Sequence, residues 1–168
     1  MVTEVYKKSG IIITVLMKKL TALVSDLETK IPHSEKINMA VSKTTVGWHI
    51  QHSLLVALNI IQAVEKSNPA EYKYKFSFPK FLVYTLNKIP RGKAKAPERV
   101  MPREVFNTDD LKKDIELLKN RINVLNSLQP GNFFVHPYFG NLNLKDTVKM
   151  LKLHTKHHIN IINDIIKG

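Results

Sequence analysis

The chain contains no cysteine, a single tryptophan and only six glycines in 168 residues. Without cysteine, neither a disulfide framework nor a thiolate metal site can form. Acidic residues are scarce: 14 Asp and Glu face 26 Lys and Arg, giving a formal charge of +12. Long apolar runs are missing too. The run from Ile11 to Met17 sits between Lys7–Lys8 and Lys18–Lys19. It is too short to span a bilayer and lacks a small-residue cleavage site. The expectation is a cytoplasmic protein without a membrane partner, with this run as the core-facing start of a helix.

What is present suits one domain over residues 1–168, since 43% hydrophobic and 24% charged residues are enough for a single core. The positive excess suits nucleic acid, acidic lipid or solubility alone. Its densest patch runs from Lys88 to Arg103, with Lys88, Arg91, Lys93, Lys95, Arg99 and Arg103 against Glu98. No aromatic side chain interleaves with those cations as a stacking platform for single strands would need. A solvated basic loop is therefore preferred to a nucleic-acid surface.

Leucine and isoleucine recur with helical spacing. Ile13, Leu16, Leu20, Leu23 and Leu27 step by three and four residues, as do Leu111, Ile115, Leu118, Ile122 and Leu125. The second of these stripes opens at Asn107 or Thr108, with Asp109 and Asp110 in its first turn, and stops at Pro130–Gly131. Another helix starts within Ser42–Thr45 and runs to Lys66, before Ser67-Asn68-Pro69. A short one follows Ser77 and ends before Pro90, and the last opens at Asn143 and continues to Gly168. Residues 89–107 and 129–142 are expected as irregular loops, with strand ambiguity only at Val2–Tyr6 and Phe133–Val135. The fold expected is all-α: an antiparallel four-helix bundle with one extra short helix and long loops.

The last helix carries an anomaly in "KLHTKHHINII". Its apolar seam reads Leu144, Val148, Leu151, Thr155, His158, Ile162, Ile165, so an imidazole occupies a core position. His154 projects within about 40° of His158, one turn away, whereas His157 points about 100° aside. Two imidazoles at i and i+4 can bind one ion. In "TTVGWHIQHSLLVALNII" the stripe Trp48, His52, Leu55, Val56, Asn59, Ala63 again centres on a histidine, with His49 about 60° to one side. Two helices thus place histidines on the seams where bundles build cofactor sites. The competing reading keeps these as structural histidines, each bonded to a carbonyl or side chain, in a non-catalytic bundle.

"TTVGWHIQH" and, much later, "HPYFGNLNLKDTVKMLKLHTKHHINII" resemble the DinB/YfiT-like superfamily of metalloenzymes. The branch most similar carries an HPxFG loop and an H-x-x-H-H helix. The likeness covers the second helix and the last third of the chain. It implies a four-helix bundle with a three-histidine site made by His52, His154 and His158, the residues already singled out by the seams. His49 and His157 then stand behind or beside the site, and His136 of the loop matches no ligand position.

Three neutral imidazoles leave a fourth position open and suit Zn²⁺, Ni²⁺ or Fe²⁺. The resemblance implies a metal-dependent hydrolase, or a transferase or isomerase using a low-molecular-weight thiol, with a small-molecule substrate. No carboxylate takes the place of the Glu in H-E-x-x-H enzymes, because Thr155 follows His154. Asp146 and Asp164 lie more than a turn from either ligand. Tyr84, Asn87 and Tyr138 are the loop-side candidates to assist, against ordinary core and cap roles. Apolar residues off the main stripes (Ile11, Met17, Val24, Leu117, Val124) point to a homodimer, unless "FSFPKFLVYTL" covers part of that surface.

Overall fold

Four side-chain caps set the helix starts. Thr45 Oγ1 accepts from the Trp48 amide at 3.2 Å and Ser77 Oγ from that of Lys80 at 3.4 Å. Asn107 Oδ1 accepts from the Asp109 amide at 2.8 Å and Asn143 Oδ1 from that of Asp146 at 2.9 Å. Each satisfies a backbone donor that the first turn leaves without a partner. The structure, a computed structural model, describes residues 2–92, 97–102 and 107–168, and of residues 2–9 and Arg99 the backbone alone. The helices are α1 (Val2–Thr29), α2 (Val46–Glu65), α3 (Phe78–Leu86), α4 (Thr108–Val124) and α5 (Leu144–Lys167). The chain is thus mostly helical, and Val2–Tyr6 belongs to α1.

The long helices share one core. α1 packs on α4 and α5, and α2 packs on the same two. All seven residues of the expected α5 seam are buried, as are Leu111, Ile115, Leu118, Ile122 and Leu125 of the α4 stripe. In α1 the buried set is Ile13, Met17, Leu20, Val24 and Leu27, while Leu16 and Leu23 are half-buried. The stripe is rotated toward Met17 and Val24, because α1 meets two neighbours rather than one. Those two residues therefore need no second subunit, and the pairing inferred from them loses that support.

One loop expectation is corrected. Residues 129–142 hold a hairpin, β1 (Phe133–His136) antiparallel to β2 (Gly140–Asn143), with Phe133 opposite Asn143 and His136 opposite Gly140. Phe134 faces in and Val135 out, the alternation of a half-buried strand, but four residues are too few to reveal period two. Gly140 closes the turn with φ +69°, a conformation that favours glycine. Asn132 anchors the hairpin by donating from Nδ2 to the Ser67 carbonyl at 2.9 Å and to that of Val64 at 3.2 Å.

The short helix α3 also departs from expectation. It turns Lys80 and Val83 inward and leaves Phe78, Phe81, Leu82 and Leu86 exposed. Only Val83 and Tyr84 join the core from this helix, and most of its apolar side chains face outward. Lys80 is held inside by Asp146, with Nζ 3.0 Å from Oδ2, and Tyr84 donates to the Asp146 carbonyl at 2.6 Å. Among the described residues no helix is long and apolar enough to cross a membrane.

Candidate metal centre

The α2 stripe of Trp48, His52, Val56, Asn59 and Ala63 is one wall of a cavity of about 670 Å³. The packed core lies on the other side of the helix, at Val46, Ile50, Leu54, Ala57, Ile61 and Val64. Apolar periodicity does not distinguish a residue facing a cavity from one facing a core. α5 supplies the second wall with Met150, His154, His157 and His158, and the hairpin a third with Phe134, His136, Tyr138 and Phe139. Val83, Ile89, Pro97 and Val100 add further apolar lining.

His52, His154 and His158 meet at one end of this space. One ring nitrogen from each lies within 4.8 Å of the other two. His52 and His158 are buried and His154 keeps an edge open to the cavity. Two of the rings are oriented from behind. His52 Nδ1 lies 2.8 Å from the Val100 carbonyl oxygen, so it donates there and leaves Nε2 as a free lone pair. The indole of Trp48 stacks on the same imidazole, with centroids 5.0 Å apart and planes 14° apart. His158 Nδ1 lies 3.0 Å from His49 Nδ1, and His49 Nε2 is 3.0 Å from Ser42 Oγ and 3.2 Å from Thr44 Oγ1.

The cluster has no carboxylate: no Asp or Glu joins the three-histidine group or lines the cavity among the described residues. Burial in low dielectric disfavours imidazolium, and each neighbouring ring adds to the effect. His154 and His158 are held well below the ordinary histidine range, by burial first and by adjacent histidines second. Burial lowers His52 as well, opposed by its bond to Val100. His49 is lowered to about 4, again chiefly by burial. Near neutral pH these are neutral imidazoles with available lone pairs, the protonation state that ligation requires. Three such donors with no competing acid fit a divalent transition ion.

The remaining sequence candidates divide clearly. Tyr138 lines the cavity. Tyr84 is committed to the Asp146 carbonyl, and Asn87 is the left-handed C-cap of α3 with φ 51°; neither reaches the three histidines. Asp146 and Asp164 are occupied by Lys80 and Arg91. His157 lines the cavity without joining the three. Of the basic loop, residues 93–96 and 103 and the Arg99 side chain lie outside the described residues. Sequence reasoning missed Val100, Ser42 and Thr44. A backbone carbonyl carries no side-chain signal, and the two hydroxyls sit in a stretch that reads as a helix cap. No family model, curated protein or solved structure matches the chain.

Proposed function

We propose that the chain is a metal-dependent enzyme with a mononuclear three-histidine site, of the hydrolase or thiol-dependent transferase class, acting on a small molecule. Its four long helices would then form an antiparallel bundle of the DinB/YfiT-like type that its motifs resemble. The observation that carries this reading is the convergence of His52, His154 and His158 on one end of a mostly apolar cavity. A cavity of about 670 Å³ is in the usual range for a small-molecule site.

His52 and His158 would offer Nε2, since their Nδ1 atoms are engaged by Val100 and His49. Ligation through His158 Nε2 would require a proton order behind it: His158 Nδ1–H would donate to His49 Nδ1, and His49 Nε2–H to the Ser42 and Thr44 hydroxyls. Such partners hold a ligating ring in one tautomer and orientation. A bound Zn²⁺, Ni²⁺ or Fe²⁺ would supply Lewis acidity at an open coordination position. The apolar walls would limit water around a substrate's reacting end, and among the described residues the cavity offers imidazoles and the Tyr138 phenol, but no carboxylate, for proton transfer.

Metal analysis of the purified protein, with calorimetric titration of the stripped form, tests the site. One ion per chain is expected, lost in His154→Ala and kept in His157→Ala. Equal loss in both variants would show that the ligands lie on a different face of α5, and no binding by the unaltered chain would leave the histidines a structural role.

A further inference from the structure

His136 is the one cavity histidine carried by neither α2 nor α5, and its ring is held on both sides. Its Nδ1 accepts from the backbone amides of Tyr138 at 3.1 Å and Phe139 at 3.2 Å. Both donors are main-chain N–H groups, so Nδ1 carries no proton and the neutral ring holds its proton on Nε2. The Phe139 ring stacks on it with centroids 4.3 Å apart and planes inclined by 12°. The imidazole therefore has neither a second tautomer nor free rotation. Burial alone lowers it to about 4, which keeps it neutral. It lies close enough to His154 to disfavour charge on that ring.

Nε2–H has no hydrogen-bond partner among the described residues, and the ring lines the cavity that holds His52, His154 and His158. A turn could have been capped by Asn or Asp, the usual residues for bonding an amide two positions on. Histidine does that work and adds a directed donor beyond it. The space around it is apolar, from Val56, Ile60, Val83, Phe134 and Met150. It extends along α2 from His52 to Lys66, roughly 21 Å at 1.5 Å per residue.

We propose that His136 is a ligand-binding residue whose Nε2–H donates to an oxygen of a carbonyl or carboxylate group, borne on an elongated apolar molecule whose polar end reaches the three histidines. This deepens the metal-enzyme reading by naming the ligand class, but the donor itself is independent of any ion. The hairpin serves to aim that donor, with the tight turn after His136 supplying both amides that set its tautomer.

Decanoate is the probe, and two variants separate the roles of the ring. His136→Asn places an oxygen where Nδ1 was, keeping the turn and removing the distal donor; His136→Gln reaches the distal position but gives up the turn contacts. Calorimetry with zinc-loaded and metal-free protein should find decanoate bound by the unaltered chain. His136→Asn should bind at least tenfold more weakly at unchanged Tm. His136→Gln should keep more of the affinity than His136→Asn while lowering Tm. In ¹⁵N-histidine-labelled protein, His136 should give the Nε2–H tautomer pattern, and its Nε2 resonance should move on adding decanoate. An Nδ1–H pattern, an unmoved resonance, or undiminished binding by His136→Asn would each overturn the proposal, as would absence of decanoate binding. Should zinc fail to bind while decanoate still shifts His136, the metal reading falls and this one stands.

Discussion

The Nδ1 atom of His52 lies 2.8 Å from the carbonyl oxygen of Val100, 48 residues away in sequence. That bond joins the centre of α2 to the segment 97–102 and at the same time aims the other ring nitrogen toward His154 and His158. One side chain serves as both anchor and candidate ligand. His52→Ala should therefore have two separable effects. Metal stoichiometry should fall to zero, and amide exchange in residues 98–101 should accelerate, since the segment loses its link to the core. Exchange measured on metal-free protein isolates the second effect. Unchanged exchange there would show that Val100 is held by packing alone.

Acid should destabilise the metal-free protein across a defined window. An unfolded histidine titrates near ~6.5, whereas folded His49 and His136 are each lowered to about 4. Between those values the unfolded chain binds more protons than the native one, so stability rises with pH through the window and is complete above it. Going from pH 7 to pH 4 should cost on the order of 3 kcal/mol for each such group. Urea midpoints at pH 7, 5.5 and 4.5 should fall steadily. A flat series would mean that both rings are solvated in the native state.

The two faces of the fold should respond oppositely to substitution. Leu118 is 1% exposed within the α4 stripe, whereas Leu86 on α3 is 65% exposed. Leu118→Ala should cost roughly 2–5 kcal/mol, from lost burial and the cavity left behind. Leu86→Ser should stay within about 0.5 kcal/mol, because its side chain is already in solvent. Denaturant titration of the two variants measures both. A large loss in Leu86→Ser would show that the outward apolar stripe of α3 is covered in solution.

The seams of α4 and α5 were legible because each contains a buried stripe that repeats at three and four residues, and a polar interruption such as His158 stands out. The caps at Thr45, Ser77, Asn107 and Asn143 were legible for a related reason: each lies next to the periodic run it starts. The orientation of α3 was not. Its pattern alone would bury Phe81 and Leu82, whereas the face turned inward carries Val83 and the long-range contacts of Lys80 and Tyr84 with Asp146. The hairpin showed only as a strand ambiguity at Phe133–Val135, because four-residue strands are too short to establish period two. The site itself divides in the same way, with the ligating side chains readable from helical angle and the groups behind them dependent on long-range approach.

The contact behind His158 gives the most discriminating prediction. His49 Nδ1 is 3.0 Å from His158 Nδ1, and its far nitrogen meets two hydroxyls, Ser42 Oγ and Thr44 Oγ1, themselves 3.1 Å apart. If this chain fixes the proton on His158 Nδ1, removing the acceptor should weaken ligation without abolishing it. His49→Phe keeps an aromatic ring in the buried position and deletes both nitrogens. Zinc affinity, measured in competition with a chelator, should fall about 10–100-fold, the usual effect of losing a group that orients a ligand. Stoichiometry should remain one ion per chain, in contrast to His154→Ala. Ser42→Ala should cost less than His49→Phe, since Thr44 still accepts from His49. Unaltered affinity in His49→Phe would reduce the contact to packing, and complete loss of binding would make His49 a ligand in its own right.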